Sequence, residues 1–287
     1  MPLAATGDLV ARAAARRGAV AAFNVITLEH IEAVVAAAET AGTPVILQVS
    51  ENAVRFHGGR LAPLAAAAVR SAEPSTVPVA LHLDHVKTGD LLRRAADCGF
   101  SSVMFDAAHL PYAENVAATR EAAGWAHAAG LWLEAELGEV GGKDGRGPLD
   151  AHAPGARTEP GEAVGFVAET GVDALAVAIG SSHAMTSRDA RLDHDLLGAL
   201  HGALDVPLVL HGSSGVPDDE LRRAVRGGIA KVNIGTALSI AMTAAVRAHL
   251  AGDERTVDPR SYLAAGRGAI TETATRLLPT IAEASIM

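Results

Sequence analysis

Three histidines stand just after short runs of β-branched and aliphatic residues: His85 after VPVALHLD, His183 after ALAVAIGSS and His211 after PLVL. Such runs predict strands, so the three side chains would project from the ends of three different strands. Three neutral imidazoles that converge in this way make a typical open Zn²⁺ site, with a further position left for water or substrate. We therefore predict a zinc centre held by these three residues.

Asp84 immediately precedes His85 and is expected to point into the same site. A carboxylate in this place can exchange a proton with a substrate hydroxyl while the metal holds the neighbouring oxyanion. His82 has the same parity along the strand as Asp84 and would face the interior one layer deeper. We interpret His82 as a hydrogen-bonded core histidine behind the site.

Two further carboxylates, Asp106 and Glu136, end the next two predicted strands. Oxygen ligands at these positions would suit a second or alternative metal position. Polar residues are also ordinary caps where a strand meets solvent, and the residue types alone do not choose between the two readings. Glu134 shares the parity of Glu136 but would lie deeper, behind the site.

The last two predicted strands run into HGSSG, at 211–215, and NIGT, at 233–236, and a helix follows each. In barrels, phosphate sites are frequent after strands 7 and 8, where small residues expose N–H groups and a helix N-terminus faces the anion. Gly and Ser are also ordinary turn residues, so the position of the motifs carries the prediction. The candidate phosphate-binding residues are Gly212, Ser213, Ser214, Asn233, Ile234, Gly235 and Thr236.

Short β-branched runs and amphipathic Ala- and Leu-rich segments alternate along the whole sequence. This alternation is typical of βαβ units, and its eightfold repetition favours a TIM (β/α)8 barrel over an open doubly wound sheet. The predicted strands are 19–25, 43–50, 77–84, 101–106, 131–137, 174–180, 207–212 and 231–236. The predicted helices are 29–41, 60–72, 88–98, 113–129, 161–170, 193–202, 217–226 and 238–250.

No Pro- or Ser-rich linker divides the sequence, so we predict one barrel domain over residues 1–287, closed by one or two helices from Pro259 onward. The least regular segment, 138–160, is long and rich in glycine. Long loops in compact domains are commonly lids or binding loops. This loop would follow strand 5, on the face where barrel enzymes carry their sites.

Composition and charge exclude several classes of protein. A formal net charge of −9 argues against nucleic acid as a partner but permits small phosphorylated molecules, which backbone N–H groups and metal can bind. Neither a secretion signal nor a membrane-spanning stretch is predicted, so no membrane partner is expected. The lone cysteine, Cys98, excludes an internal disulfide and agrees with a reducing, cytoplasmic location.

Six motifs in order resemble the class II fructose-bisphosphate and tagatose-bisphosphate aldolases. They are HLDH from 82, SVMFDAAH from 102, EAELGEVGG from 134, AVAIGSSH from 176, VLHGSSG from 209 and KVNIGT from 231. The resemblance extends from about residue 20 to DPRSYL at 258–263. It implies an enzyme that reversibly cleaves a ketose 1,6-bisphosphate, with fructose 1,6-bisphosphate first, into dihydroxyacetone phosphate and an aldehyde phosphate.

The resemblance also implies a role for each matching residue. His85, His183 and His211 would hold the catalytic zinc, and Asp84 would transfer the proton at the aldehyde end. Asp106 and Glu136 would match the family's second metal position. The glycine, serines and 233–236 run of the two phosphate loops would hold the dihydroxyacetone phosphate portion, often beside a monovalent cation. The family also implies a homodimer or homotetramer.

Several positions bear on the choice of sugar. Asp144 occupies the stretch where bisphosphate aldolases usually carry a glutamate base, and it is shorter by one methylene. Ala184 and Thr186 follow His183, where the family commonly has Gly and then Tyr; if that Gly requires a positive φ, alanine would be strained or the loop would differ. Ser50, in QVSEN, is a candidate contact for the aldehyde half, and Asn24 is a further substrate-binding candidate at the end of strand 1.

The sequence is also compatible with other functions. The substrate could be tagatose 1,6-bisphosphate or another specialised ketose phosphate, because the loops that bind the aldehyde half carry the differences. A metal-dependent barrel hydrolase would leave the phosphate loops without a purpose, and strand 1 ends in AFNV with no paired histidines. A non-catalytic relative would bind sugar phosphates without turnover.

Overall fold

The computed structural model describes residues 3–138, 140 and 156–282. Eight parallel strands pair in sequence order, and β1 also pairs with β8, so the sheet closes into the predicted TIM barrel. The strands are β1 (Val20–Asn24), β2 (Val45–Ser50), β3 (Val79–Val86), β4 (Ser102–Phe105), β5 (Trp132–Leu137), β6 (Ala174–Val177), β7 (Leu208–Leu210) and β8 (Ile229–Ile234).

Helices surround the barrel in the described part of the chain. They are α1 (Thr6–Ala15), α2 (Leu28–Ala41), α3 (Glu51–Phe56), α4 (Leu61–Ala72), α5 (Gly89–Asp97), α6 (Tyr112–Ala128), α7 (Pro160–Thr170), α8 (His194–Ala203), α9 (Asp218–Arg226), α10 (Thr236–Gly252) and α11 (Pro259–Ala282). None of these helices has the length and apolar character needed to cross a bilayer. The helix α11 follows the eighth βα unit, and the prediction of a single domain over 1–287 stays a prediction.

Local sequence explains where several helices begin. Asp193 accepts a hydrogen bond from the backbone N–H of Leu196 at the start of α8, and Ser50 does the same for Ala53 at the start of α3. Side-chain oxygens at these positions satisfy N–H groups that have no partner within the helix. The sequence pattern does not predict α3, a short helix that follows directly from β2 at the mouth of the barrel.

In the described part of the chain, the buried apolar residues form one large cluster and two small ones. The large cluster fills the space between the strands and the surrounding helices, and Phe23, Leu47 and Phe166 are fully buried there. A smaller cluster closes the N-terminal end of the barrel interior, where Val10 of α1 packs with inward-facing Ile46 and other small apolar residues. The opposite, C-terminal end of the interior carries buried polar side chains, and this end positions the site.

Candidate active site

A local irregularity at the end of β3 brings two neighbouring residues to one cavity. Side chains of successive residues in a regular strand point to opposite faces. The pairing of β3 with β4 changes register between Leu83 and Val86, and His85 has a φ of +51°. As a result Asp84 and His85 both line the same cavity, with Asp84 Oδ2 3.9 Å from His85 Nε2. A left-handed conformation costs a histidine free energy, so the fold maintains this geometry at a cost.

The three predicted histidines converge, and Glu136 joins them. One ligand atom from each of His85, Glu136, His183 and His211 lies within 4.8 Å of all the others. The ring centroids of the histidines are 4.9 to 5.8 Å apart. His85 Nε2 is buried and forms no hydrogen bond with any described residue. Three imidazole nitrogens and one carboxylate are a donor set that suits Zn²⁺, so the residues fit a divalent metal.

Asp106 and Glu136 contact different histidines. Asp106 Oδ2 lies 2.8 Å from His85 Nδ1, which directs His85 Nε2 toward the cluster. Glu136 Oε2 lies 3.1 Å from His211 Nδ1 and belongs to the cluster itself. The structure therefore gives Asp106 a contact with one histidine of the cluster and gives Glu136 a place in the cluster itself. A second metal position formed by both residues stays a prediction.

A fully buried ionic network lies beneath the cluster. Glu134 Oε1 is 2.8 Å from His211 Nε2, and Lys231 Nζ donates to Glu134 Oε2 at 2.8 Å. Burial alone would raise the pKa of Glu134, but Lys231 and His211 hold it well below its usual range. Burial alone would lower the pKa of His211, but the hydrogen bond with Glu134 and the nearby carboxylate of Glu136 raise it to about 9.

His82 is the core histidine that the sequence predicts. Its ring is fully buried, and Nδ1 lies 2.8 Å from Ser102 Oγ. Burial, reinforced by the nearby positive charge of Lys231, lowers the pKa of His82 to about 3. His82 is therefore neutral at physiological pH and packs below the cluster beside Ser102.

Asp84 is held by a chain of amide side chains. Asn24 Nδ2 donates to Asp84 Oδ2 at 3.4 Å, and Gln48 Nε2 donates to Asn24 Oδ1 at 3.2 Å. Burial would raise the pKa of Asp84, but His85 and His211 outweigh it and lower the pKa below the usual value. The carboxylate is thus ionised and able to accept a proton from a ligand in the cavity.

The cavity at the C-terminal mouth has a volume of about 250 Å³. Among the described residues that line it, none is a lysine or an arginine. The side chain of Ile234 packs in the apolar core outside the barrel, so Ile234 is the one phosphate-loop candidate that does not line the cavity. The predicted site residues that do line it are Asn24, Ser50, Asp84, His85, His183, Gly212, Ser213, Ser214, Asn233, Gly235 and Thr236.

The loops after β7 and β8 meet at one end of this cavity. Gly212 has a φ of +66°, and a Cβ atom there would lie 2.6 Å from the backbone carbon of Ser182. Only glycine permits this close approach of two backbones. Ser214 Oγ accepts a hydrogen bond from Ala237 N in the first turn of α10, which begins at the cavity. Small side chains and a helix N-terminus together form an anion-binding arrangement.

The loop after β6 carries His183 and is tied to the loop after β7. Ala190 N donates to Gly215 O at 3.0 Å, and Arg188 donates to Val216 O at 2.6 Å. Ala184 has a φ of +57°, so the chain keeps the left-handed conformation that glycine would adopt without strain. Of the two outcomes open from the sequence, the strained alanine is the one observed.

One candidate site residue lies outside the described part of the chain, and three residues at or near the site were not predicted from the sequence. Asp144 lies outside the described residues, so its role as the loop base stays a prediction. The motif KVNIGT alone indicates no role for Lys231, although a lysine inside the apolar run IAKVNI is a sign that it needs a buried partner. Ser182 and Asn52, which line the cavity, carried no signal in the sequence because serine and asparagine are ordinary loop residues.

The fold and the site together define a TIM-barrel protein with a His/Glu cluster that can hold a metal. A family model described as "Fructose-bisphosphate aldolase class-II" matches residues 4–284. The chain belongs to the class II fructose-bisphosphate aldolase family, as the motifs predicted. Members of this family are generally metal-dependent and act on small phosphorylated sugars.

Individual relatives agree with this assignment. A fructose-bisphosphate aldolase from Geobacillus stearothermophilus is 39% identical over 278 residues, 95% of this chain and 94% of the relative. A 6-phospho-5-dehydro-2-deoxy-D-gluconate aldolase from Shouchella clausii is 40% identical over 257 residues, 89% of this chain and 86% of the relative. The crystal structure of the YdjI aldolase from Escherichia coli K12 aligns with a TM-score of 0.83 and 32% identity over 97% of each chain.

Proposed function

We propose that this chain is a zinc-dependent aldolase that reversibly cleaves fructose 1,6-bisphosphate into dihydroxyacetone phosphate and an aldehyde phosphate. The observation that carries the proposal is the position of Asp84, which lines one cavity with His85 and His183, two members of the cluster of three histidines and one carboxylate. A proton acceptor beside a metal site is the combination that a retro-aldol reaction needs.

His85, His183 and His211 would hold the zinc ion, with Glu136 as a further oxygen ligand. When bound, zinc polarises the ketone of the substrate and stabilises the negative charge that develops on its oxygen. Asp106 keeps His85 oriented through the 2.8 Å contact with Nδ1. No lysine Schiff base is required in this scheme, and the buried Lys231 is already engaged with Glu134.

Asp84 would take the proton of the C4 hydroxyl as the C3–C4 bond breaks. The C4 oxygen then forms the carbonyl of the aldehyde product, and the bonding electron pair stays with C3. Asn24 holds the carboxylate of Asp84 in place. The C3 carbon must next receive a proton, and Asp144 is the predicted donor from the loop after β5.

Gly212, Ser213, Ser214, Asn233, Gly235 and Thr236 would bind the phosphate of the dihydroxyacetone half. The close contact between Gly212 and the backbone of Ser182 supports this, because it leaves the loop compact at the start of α10. A monovalent cation beside this phosphate, the homodimer or homotetramer and the cytoplasmic location remain predictions.

Removing the carboxylate of Asp84 while keeping its shape tests the proposal. Asp84→Asn should retain zinc and lose cleavage of fructose 1,6-bisphosphate by about 10²- to 10⁴-fold, the range that general base catalysis supplies. Asp90→Asn is the matched control, because Asp90 lies on α5 with its side chain 97% exposed. Wild-type cleavage rates in Asp84→Asn would reject the assignment of the proton acceptor.

A second candidate substrate is a ketose that carries a single phosphate. Two observations favour it: the described lining of the cavity contains no lysine or arginine for a second phosphate, and the Shouchella clausii relative is named for a monophosphorylated substrate. Cleavage rates for fructose 1,6-bisphosphate, tagatose 1,6-bisphosphate and 6-phospho-5-dehydro-2-deoxy-D-gluconate would rank the candidates. Asp144→Glu, measured alongside, should improve cleavage of the bisphosphates if the shorter base is misplaced; an unchanged or lower rate would count against that role.

A further inference from the structure

Glu134 and Lys231 form an ion pair in the barrel interior, and both side chains have no exposed surface. Two charges at this depth cost free energy to desolvate, and an apolar pair of similar volume is often as stable. A purely structural need for the barrel interior would therefore be met by apolar residues, as it is at Ile46 and Ala80 near the floor. The position of the pair relative to His211 suggests another use.

The two oxygens of Glu134 have separate partners. Oε2 accepts from Lys231 Nζ, and Oε1 lies 2.8 Å from His211 Nε2. The other ring nitrogen, His211 Nδ1, is on the side of Glu136 and the metal cluster. When His211 donates its Nε2 hydrogen to Glu134, the lone pair of Nδ1 is left free to face the cluster.

Three strands fix this arrangement. Lys231 is on β8, Glu134 is on β5, and His211 directly follows β7. The pair thus spans the barrel interior and places a carboxylate beside His211. The short strand β7 (Leu208–Leu210) has no carboxylate of its own. Lys231 bonds one oxygen of the carboxylate, and the imidazole of His211 lies at the other.

We propose that Glu134, held by Lys231, is the positioning residue that makes His211 a metal ligand through Nδ1. The pair selects the ring tautomer and the ring orientation, and it does not touch the substrate. The inference rests on the proposed function, because it concerns the metal that the cluster would hold. Positioning His211 would explain why Glu134 and Lys231 are buried as charges although neither takes part in the reaction.

The affinity for Zn²⁺, measured by competition with a chromophoric chelator, tests the proposal without reference to catalysis. Glu134→Gln should bind Zn²⁺ about 10- to 100-fold more weakly than the wild type, the range seen when a partner of a metal-bound histidine is lost. Lys231→Met should also weaken binding. The double variant should be no weaker than the worse single variant, because the two residues act as one unit.

Ser102→Ala is the matched control. Ser102 is buried in the same interior and bonds His82 and Thr6, but it has no contact with the cluster. Its Zn²⁺ affinity should stay within about threefold of the wild-type value. If Glu134 served only barrel stability, Glu134→Gln would lower the melting temperature and leave Zn²⁺ affinity unchanged, which would overturn the proposal.

The wild-type protein gives a second readout that does not depend on whether a variant folds. With ¹⁵N-labelled histidine and bound Zn²⁺, the ring of His211 should show a protonated Nε2 and a metal-bound Nδ1. Binding through Nε2 would overturn the proposal even if Zn²⁺ binds well. A wild type that binds no Zn²⁺ would overturn both this inference and the proposed function, whereas equal affinities of Glu134→Gln and wild type would reject the inference alone.

Discussion

The two ends of the barrel interior are built from the same strands but from opposite chemistry. At the N-terminal end, Val20, Ile46 and Ala80 pack beneath α1 as a small apolar cluster. Two to four residues further along these strands, the interior holds polar side chains: the partly buried Asn24 and the buried Gln48, His82 and Asp84. A step of two to four residues along a strand therefore exchanges an apolar residue for a polar one at the candidate site.

This difference shows how the fold supports its site. Buried polar groups cost free energy when they lack partners, and several atoms around the cluster, such as Gln48 Oε1 and His85 Nε2, have none among the described residues. The apolar cluster at the N-terminal end and the core between strands and helices supply the stability that these polar residues do not. Substitutions in the two layers should therefore affect different properties.

The largest expected effect is the loss of activity when a polar residue at the C-terminal end of the barrel interior is replaced. His183→Ala removes one ligand of the cluster, so cleavage of the best ketose phosphate should fall by about 10³-fold or more, because a metal supplies several kcal/mol of transition-state stabilisation. Steady-state rates with zinc analysis check this. The control His249→Ala, on α10, should retain activity, and a His183→Ala variant with wild-type zinc content and rate would remove the residue from the site.

Substitutions in the apolar cluster at the N-terminal end of the barrel interior should instead lower stability. Ile46 is fully buried, and Ile46→Ala should lower the free energy of unfolding by about 2–5 kcal/mol through lost burial and a cavity. Denaturant unfolding measures the loss, and Zn²⁺ affinity of the folded protein should change little. A large loss of Zn²⁺ affinity with little loss of stability would contradict the separation of the two layers.

A third prediction concerns pH. Glu134 and Glu136 raise the pKa of His211 to about 9 in the protein without metal, so metal must displace a proton at neutral pH. Zn²⁺ affinity should therefore fall about tenfold for each pH unit below 9 from this group alone. In the protein from which a chelator has removed the metal, the pH dependence of stability has the opposite direction. The contribution of His211 to the free energy of unfolding is complete below pH 6.5 and is lost as the pH rises through about 9.

Competition titrations at several pH values would measure this dependence. An affinity that stays constant between pH 7 and pH 8.5 would show that His211 carries no proton to displace. Unfolding of the chelated protein across the same range gives the opposite slope and serves as the internal control.

The smallest expected effect is at Ala184, whose φ of +57° suits glycine. Ala184→Gly relieves left-handed strain but gives the unfolded chain more freedom, so the free energy of unfolding should rise by only about 0.5–1 kcal/mol. Thermal unfolding checks the sign. Ala248→Gly, at an exposed position of α10, should instead lower stability by about 1 kcal/mol. A destabilised Ala184→Gly variant would mean that the strain is not relieved.

The sequence predicted the fold well because alternating strand and helix patterns repeat along the chain and leave few topologies. It predicted the three histidines and Asp84 because barrel chemistry lies at strand ends. It did not predict the left-handed turn at His85, since that conformation depends on the register of β3 against β4. Nor did it predict the Glu134–Lys231 pair, which requires knowing that β5 and β8 face each other across the interior.

We expect zinc in the histidine cluster to enable aldol cleavage. Zinc should be removed with a chelator and added back in steps while cleavage of fructose 1,6-bisphosphate and of the other ketose phosphates is followed. We predict that activity on at least one of them rises in proportion to zinc and reaches a plateau at about one ion per chain, as a single open site requires. Cleavage that is independent of zinc, or no cleavage of any ketose phosphate at full zinc occupancy, would contradict the claim.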